Sequence, residues 1–266
     1  MRLRDKVCVV TGSGSGIGRA TAIEMAREGG KVVVSDLNDD QGAETVAAIT
    51  GAGGEAVYAH ADVTAGADVT ALMQAAVDAF GRLDVLHNNA GVHETDFTTE
   101  TAVDTLPEEV WDTVFAVNLR AVWTCTRAAV PHMRAGGGGA IVNAGSTASY
   151  LGYPMSAAYT STKAAILGLT RCMAVDFAKD SIRVNCYCPA AVDTPMVSKY
   201  WEAADDPEVI KSMLVGSHLV KRLGRPEEVA KLVCYLASDD AAFITGALIV
   251  IDGGVTAWRG VRQHDL

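Results

Sequence analysis

The stretch Lys6-Val7-Cys8-Val9-Val10-Thr11-Gly12-Ser13-Gly14-Ser15-Gly16-Ile17-Gly18-Arg19-Ala20 decides the fold class of this chain. A short β-branched run leads into a glycine-rich turn, and the turn leads into a helical pattern of apolar residues. Strand, turn and helix in this order form the local context of a dinucleotide-binding loop. The glycines follow TGxxxGxG and not GxGxxG, since Ile17 and Arg19 stand where GxGxxG could place its third glycine.

The glycines of this turn have separate expected roles. Gly12 and Gly16 can adopt backbone angles closed to other residues, which lets the main chain approach the phosphates. Gly18 permits close packing of the helix, and free N–H groups at the helix start favour an anion. The turn is therefore predicted to hold a pyrophosphate.

Asp36 ends the second predicted strand, residues 31–35. It lies near the offset of ~20 residues at which a carboxylate accepts hydrogen bonds from the adenosine ribose hydroxyls. No lysine or arginine follows in residues 37–40 to bind a 2′-phosphate, so the sequence favours NAD over NADP. A solvated strand end or a helix cap is the alternative interpretation of Asp36.

Length and charge narrow the classes of function. The 266 residues contain no Pro/Gly/Ser-rich linker, so one domain over residues 1–266 is expected. The net charge of −10 disfavours nucleic acid or an anionic membrane as a partner. The first strand begins close to Met1, and no apolar run approaches the ~18 residues of a membrane span, so a cytoplasmic protein is expected.

The six cysteines show no CxxC pair and no His-rich partner spacing. Most are expected to be buried, reduced thiols, and no metal site is predicted. They stand at positions 8, 125, 172, 186, 188 and 234.

Apolar strands and amphipathic helices alternate along the chain. After the first βα unit, strands are predicted at 31–35, 55–59, 83–87, 140–144, 182–188 and 247–251, and helices at 41–50, 65–80, 107–131, 157–179 and from Pro226. This alternation predicts an α/β fold with a doubly wound parallel sheet, the Rossmann fold. In such a sheet, ligands lie outside the carboxyl ends of the strands.

Tyr159 and Lys163 are four residues apart, so on a helix they share one face. A tyrosine with its ordinary pKa of about 10 is a poor acid or base at neutral pH, but a nearby ammonium favours the phenolate. Ser146, just past a predicted strand end, can bring a hydroxyl to a substrate oxygen, while NAD exchanges the hydride. Without a cofactor loop, the same Tyr/Lys spacing would indicate only a surface pair.

Motifs along the whole chain resemble those of the short-chain dehydrogenase/reductase family. They are TGSGSGIG at 11–18, Asp62, NNAG at 88–91, Asn118, Ser146, YTSTK at 159–163, and NCYCP at 185–189 with Thr194 behind it. The resemblance implies an oxidoreductase with Tyr159 as acid/base, with Lys163 holding the nicotinamide ribose and lowering the tyrosine pKa. It implies that Ser146 positions the carbonyl or hydroxyl, and that Asn118 kinks its helix and supports a proton-relay water.

The resemblance also implies a full set of NAD contacts and no metal ligand. Asp62 with Val63 would contact adenine, residues 89–91 would line the adenosine side, and Val192 with Thr194 would hold the carboxamide. Together with Tyr159 and Lys163, the expected cofactor residues are Gly12, Ser15, Gly16, Ile17, Gly18, Asp36, Leu37, Asp62, Val63, Asn89, Ala90, Gly91, Pro189, Val192 and Thr194. A homotetramer is implied, with helices 107–131 and 157–179 as faces, and the tail 258–266 either reaches a neighbouring subunit or frays.

Two positions depart from the family pattern. Ala190 follows Pro189 where the family commonly has glycine, so a positive φ there would be strained. Gly145 precedes Ser146 where relatives more often carry serine, which predicts extra space or freedom beside the hydroxyl. His93 and His264 are expected to be solvated.

The predicted pocket walls, residues 92–97, 147–154 and 196–215, are largely apolar and aromatic, with a substrate-binding segment at about 195–220. We therefore expect a neutral, hydrophobic secondary alcohol or ketone, including cyclic ones. An NADPH-dependent 3-oxoacyl-(acyl-carrier-protein) reductase is the alternative, disfavoured by Asp36, by the uncharged turn 136–139 and by the acidic charge balance. A non-catalytic NAD-binding regulator is a third reading, disfavoured by the intact Asn118, Ser146, Tyr159 and Lys163 set.

Overall fold

The computed structural model describes residues 1–202 and 206–258, with Tyr200 and Trp201 described by their backbone only. Within this part of the chain, seven strands form one parallel sheet in the order β3-β2-β1-β4-β5-β6-β7. The strands are β1 Val7–Thr11, β2 Lys31–Asp36, β3 Glu55–His60, β4 Val85–Asn88, β5 Gly139–Ala144, β6 Ile182–Pro189 and β7 Leu248–Ile251. The predicted doubly wound Rossmann sheet is confirmed.

Helices cover both faces of the sheet. They are α1 Gly16–Arg27, α2 Asp39–Gly51, α3 Gly66–Phe80, α4 Glu108–Phe115, α5 Ala121–Ala135, α6 Ala157–Phe177, α7 Pro195–Glu202, α8 Pro207–Gly216 and α9 Pro226–Ala237. Alternate β1 side chains point to opposite cores: Val7 and Val9 pack with α3 and α5 residues, whereas Cys8 and Val10 pack with α1 and α9 residues. Because both faces of the sheet are buried, the sequences of its strands are continuous runs of apolar residues.

Strand β1 lies at the point where the strand order reverses. It pairs with β2 on one side and with β4 on the other, so the β1 and β4 carboxyl ends diverge to helices on opposite faces. A crevice opens at such a point. The glycine turn after β1 and the NNAG segment after β4 therefore meet at one edge of the sheet.

The predicted helix 107–131 is interrupted. It consists of α4, a five-residue π-helical segment Ala116–Arg120, and α5, which continues past Pro131 to Ala135. Asn118 lies in the π segment, and its side chain bonds both backbone groups of Val92, accepting from the N–H and donating to the carbonyl oxygen, each at 2.8 Å. A π segment widens the helix locally, and here it aims this amide at the loop that follows β4.

The predicted polar and aromatic segment 195–220 contains two helices, α7 and α8. Helix α8 begins with Pro207 at its first position, and the Asp206 carboxylate accepts from the Val209 N–H at 3.2 Å. None of the helices in the described ranges is both long and apolar enough to cross a membrane.

Close packing of α1 on the glycine turn depends on Gly18. A Cβ at this position would lie 2.0 Å from the Gly12 carbonyl oxygen and 2.5 Å from Asn89 Nδ2. Gly12 itself has a φ of +62°, and a Cβ there would lie 2.8 Å from Ala90 Cα. The turn, α1 and the end of β4 therefore fit together only with glycine at both positions.

We expect Gly18→Ala to destabilise the protein by about 3 kcal/mol and to weaken nucleotide binding, because the backbone of the turn must move to admit the methyl group. Denaturant unfolding and nucleotide titration would measure both effects. Gly51→Ala is the matched control, since Gly51 lies at the end of α2 with nothing within 4 Å of an added Cβ. The control should stay within about 1 kcal/mol of the parent; equal stability of the two variants would contradict the packing argument.

Candidate active site

The glycine turn is held in place by the segment that follows β4. The Thr11 hydroxyl accepts from the N–H groups of Asn89 and Ala90 at 3.0 and 3.1 Å. In return, Asn89 Nδ2 donates to the carbonyl oxygens of Thr11 and Gly12 at 3.0 and 2.9 Å. Asn89 therefore links the two strand ends across the switch point of the sheet.

Asp36 lies at the end of β2 with its carboxylate fixed by two backbone donors. Gly14 N–H donates to Oδ2 at 2.8 Å, and Asn38 N–H donates to Oδ1 at 3.0 Å. Tyr58 Oη donates to the Asp36 carbonyl oxygen at 2.9 Å. The carboxylate is thus held beside the glycine turn before any ribose arrives.

A cavity of about 350 Å³ runs along this edge of the sheet. It brings together fifteen of the seventeen residues predicted to contact NAD: Gly12, Ser15, Gly16, Ile17, Asp36, Leu37, Asp62, Val63, Asn89, Ala90, Gly91, Tyr159, Lys163, Pro189 and Thr194. Side chains at the glycines would fill it, since a Gly16 Cβ would lie 3.3 Å from Thr194 Cγ2. The residues present therefore fit a nicotinamide dinucleotide.

The remaining two predicted cofactor residues lie outside this cavity. Gly18 packs beneath the glycine turn. Val192 is buried, and its side chain packs into the core that includes Val229 and Val233 of α9. The side chain of Val192 thus supports the loop after β6 and does not face the cavity.

The four predicted catalytic residues lie around one end of the cavity. Tyr159 is in the first turn of α6, and Lys163 follows one turn later with its Nζ 5.5 Å from the Tyr159 ring centroid. Lys163 Nζ donates to the Ala144 carbonyl oxygen at 2.9 Å, which ties α6 to the end of β5. Ser146 follows that strand, and its hydroxyl accepts from the Ala148 N–H at 3.1 Å. Asn118 contacts α6 through the Thr162 hydroxyl at 3.4 Å.

Burial dominates the electrostatics of this group. It raises the pKa of Tyr159 above its ordinary value, whereas the Ser146 hydroxyl opposes this and the Glu94 charge adds to it. Burial also lowers the pKa of Lys163 to about 8, against the opposing charge effects of Cys186 and Cys188. The structure thus differs from the predicted lowering of the tyrosine pKa by the lysine, because desolvation penalises both charged forms.

The two departures from the family pattern are accommodated without strain. Positive φ angles at non-glycine residues are confined, in the described chain, to Asp5, Met155 and Ser181, so Ala190 follows Pro189 in an ordinary conformation. At Gly145, a Cβ would lie 2.8 Å from the sulfur of Cys186 and 2.8 Å from that of Cys188. The expected space beside Ser146 is therefore filled by two thiols, and glycine is required there.

Sequence reasoning missed the roles of three residues at this site, although two of them lie in the predicted pocket wall 92–97. His93, expected to be solvated, is 3 % exposed, and its ring centroid lies 5.0 Å from that of Tyr159. Glu94 is completely buried against the same helix. Tyr187 of β6 lines the cavity, with its hydroxyl 3.1 Å from His87 Nε2. No local pattern indicates these roles, since His93 and Glu94 depend on where the segment after β4 meets α6, and Tyr187 depends on how β6 faces the end of β4.

The predicted cysteine burial is confirmed for all but Cys172, which is exposed on α6. Of the predicted tail 258–266, residues 259–266 with His264 lie outside the described residues, as do residues 203–205 of the predicted pocket wall. A second cavity of about 530 Å³ lies at the opposite edge of the sheet. In this second cavity, Lys6 is paired with Asp239 and Arg82 with Asp84, so these two residues offer no free charge.

Residues 1–202 and 206–258 contain no cluster of three or more metal-ligating side chains.

Comparison with known proteins relates nearly the whole chain to oxidoreductases. A family model described as "Enoyl-(Acyl carrier protein) reductase" matches residues 12–256. The chain is 38 % identical over 257 residues to a cyclohexanol dehydrogenase of Acinetobacter sp. (strain SE19), covering 96 % of this chain and 97 % of the relative. It is 36 % identical over 255 residues to a 3-oxoacyl-(acyl-carrier-protein) reductase of Thermotoga maritima, covering 96 % and 99 %.

A solved structure shows the same architecture. The crystal structure of levodione reductase superposes with a TM-score of 0.91 at 33 % sequence identity, covering 97 % of this chain and 100 % of that one. The similarity therefore includes the sheet, the covering helices and the segments that form the cavity.

Lys163 is 5 % exposed, and burial lowers its pKa. Its contribution to the free energy of unfolding is therefore expected to depend on pH. Between about pH 8 and 10.5 the unfolded chain binds the proton that the folded chain has released, so the stability of the parent rises with pH. Lys163→Met should lack this rise. Its stability relative to the parent should fall by up to about 3 kcal/mol from pH 7 to pH 10.5, measured by denaturant unfolding without nucleotide.

The control for this experiment is Lys179→Met, which removes an exposed lysine just beyond the same helix. Its stability relative to the parent should be the same at both pH values. If the stability of Lys163→Met changed with pH in the same way as that of the parent, burial would not disfavour the charged form of Lys163.

Proposed function

Because the chain belongs to the short-chain dehydrogenase/reductase family, we propose that this oxidoreductase transfers a hydride between NAD and a neutral, hydrophobic and cyclic secondary alcohol or its ketone. One observation carries the proposal. Tyr159 and Lys163 line one end of a cavity that Asp36 lines as well, and Ser146 and Asn118 lie beside them next to the lining residues Gly145 and Val117.

Tyr159 is proposed to exchange the proton of the substrate oxygen. Burial favours its neutral phenol, which suits it to donate a proton to a ketone oxygen during reduction. For alcohol oxidation the phenol must lose its proton, and the Lys163 ammonium stabilises the phenolate that results. Ser146 would hold the same substrate oxygen beside Tyr159, and bound NAD would supply or accept the hydride.

Lys163 is proposed to hold the nicotinamide ribose in addition to its role beside Tyr159. A lysine with a pKa of about 8 is mostly charged at neutral pH and keeps its hydrogen-bond donors. Asn118 already bonds Val92 and Thr162 through its side chain, so we propose that it positions the loop after β4. Its support of a relay water stays a prediction.

NAD is the proposed cofactor because of Asp36. Its carboxylate lines the cavity, where it can accept hydrogen bonds from ribose hydroxyls and would repel a 2′-phosphate. Leu37 beside it is exposed and carries no charge to bind that phosphate. Asp62 and Val63 lie on the same wall, where we propose that they contact adenine.

A cyclic substrate is supported by the walls of the site and by a relative's name. Val92 and Met196 line the cavity, and Thr147 and Tyr153 share a hydrogen bond at 2.9 Å on the loop after Ser146. These residues and the segment 195–220 are proposed to bind an uncharged ring. The cyclohexanol dehydrogenase relative acts, by its name, on a cyclic alcohol.

The second candidate is a 3-oxoacyl-(acyl-carrier-protein) reductase that uses NADPH, which the Thermotoga maritima relative favours. Asp36 and the net charge of −10 weigh against it, because NADPH carries a 2′-phosphate and an acidic carrier protein needs a basic docking face. The cytoplasmic location and the homotetramer expected from the sequence stay predictions.

The proposed reaction is tested by following nicotinamide absorbance with NAD or NADP and a panel of cyclic and linear secondary alcohols. We expect turnover with NAD and cyclic alcohols, reduced about 100- to 10,000-fold in Tyr159→Phe. Nucleotide binding should persist in this variant, because only the phenolic oxygen is removed.

Tyr235→Phe is the matched control, since Tyr235 packs against the opposite core on α9, and it should keep parental turnover. Full turnover in Tyr159→Phe would contradict the assignment of Tyr159. Turnover of 3-oxoacyl thioesters with NADPH would support the second candidate, and NAD binding without turnover of any tested substrate would favour a non-catalytic regulator.

The cofactor proposal predicts that Asp36→Ala gains use of NADP relative to NAD by about tenfold or more, because a like charge is removed from the 2′-phosphate position. The ratio of kcat/KM values for the two nucleotides measures this. Asp40→Ala removes an exposed charge from the first turn of α2 and should leave the ratio unchanged. A parental preference for NADP would overturn the role assigned to Asp36.

A further inference from the structure

Glu94 is a completely buried carboxylate outside the four predicted catalytic residues. It lies in a short 3-10 helix, Glu94–Asp96, in the loop after β4. Its Oε1 accepts from the Ala158 N–H at 3.0 Å, and its Oε2 accepts from the Tyr159 N–H at 3.2 Å. A side chain from a distant segment thus caps the first turn of α6, at the backbone of the proposed acid/base itself.

The charge of Glu94 is stabilised mainly by this helix end. Free N–H groups and the helix dipole favour an anion at the amino end of a helix. His93 lies beside this carboxylate, with its Nε2 3.7 Å from Glu94 Oε2. Helix α6 has no side-chain cap from Ser156, the residue that precedes it, so Glu94 supplies the cap.

His93 is held neutral beside Glu94. Its Nδ1 accepts from the Thr95 N–H at 3.2 Å, so the ring proton is assigned to Nε2, which lies 3.0 Å from the Ser156 hydroxyl. Burial lowers the pKa of His93 further. At neutral pH, His93 therefore does not place a full positive charge beside the carboxylate of Glu94.

We propose that Glu94 is a positioning residue for the reaction: its carboxylate fixes the first turn of α6 and places a negative charge behind Tyr159. This role rests on the proposed function, because Glu94 would act through Tyr159, the proposed acid/base. It adds to that function a residue from the loop after β4, which also contributes the cavity residues Ala90 to Val92.

Several charged or titratable groups face Glu94 and Tyr159 from neighbouring elements. His93 and Asp96 belong to the same loop as Glu94, and Lys199 of α7 is paired with Asp96. Around Tyr159 stand Lys163 of the same helix, Tyr153 of the preceding loop and Cys188 of β6. Glu94 raises the pKa of Tyr159, and Tyr153 and Cys188 raise it as well.

The experiment compares Glu94→Gln, Glu94→Asp and Asp96→Asn in the full chain. Glu94→Gln keeps the size of the side chain and removes the charge, whereas Glu94→Asp keeps the charge and shortens the reach. Asp96→Asn removes a charge from the same 3-10 helix without touching α6, and so controls for general loss of charge and for loosening of the loop.

Alcohol oxidation needs the phenolate, so its rate rises with pH through the pKa of Tyr159. Removing the Glu94 charge lowers that pKa, so the midpoint of the kcat/KM profile should move to lower pH in Glu94→Gln. In Glu94→Asp the midpoint should stay near the parent while kcat falls by about tenfold through misplacement of Tyr159. Asp96→Asn should keep the parental midpoint.

Capping is measured separately by hydrogen exchange, which needs no turnover. The amides of Ala158 and Tyr159 should exchange about tenfold faster or more in Glu94→Gln than in the parent or in Asp96→Asn. Unchanged exchange at these amides would overturn the proposed cap even if no substrate is found and the proposed function fails. If the parent is active and the kcat/KM profile of Glu94→Gln has the same midpoint pH as that of the parent, the proposed electrostatic role is overturned.

Discussion

The constraint on which this structure depends is the burial of the sheet on both faces. The central strands β1, β2, β4, β5 and β6 consist almost entirely of buried residues, whereas the edge strands β3 and β7 are only partly buried. Buried polar side chains inside the sheet bond one another, as where Asn88 Nδ2 donates to Asn143 Oδ1 at 2.9 Å. The reversal of strand order between β1 and β4 opens the crevice in which polar groups can instead face a ligand. The position of the cavity is thus a consequence of topology, and the glycine turn only makes it fit a dinucleotide.

Burial also sets the chemistry of the residues gathered there. It raises the pKa of Tyr159 and lowers that of Lys163, so each side chain favours its neutral form more than it would in water. The hydroxyl of Ser146 acts against this for Tyr159, while Glu94 acts with it. A proton donor poised in its neutral form suits ketone reduction, whereas alcohol oxidation depends on the positive charge of Lys163.

Local departures from the family pattern are resolved by packing partners. The paired thiols of Cys186 and Cys188, with sulfurs 4.0 Å apart, fill the space beside Gly145, so glycine and the two cysteines form one packing unit beneath Ser146. The interrupted helix around Asn118 is bonded to the loop that carries Glu94, and that loop caps α6. The candidate site is therefore fastened by side chains from three segments that are far apart in sequence.

The sequence by itself determined the class of fold and the succession of strands and helices along the chain, because glycine spacing and apolar periodicity act over short distances. The four-residue offset indicated that Tyr159 and Lys163 share one helix face, and most other residues of the cavity were expected from the resemblance of the motifs to the short-chain dehydrogenase/reductase family. It did not predict the π segment, the two helices in 195–220, the burial of His93 and Glu94, or the place of Tyr187 in the cavity wall. These features depend on contacts between distant segments, such as that of the loop after β4 with the first turn of α6. The tertiary structure also decided the direction of the Tyr159 pKa, because desolvation depends on everything that surrounds a side chain and not on its neighbours in sequence.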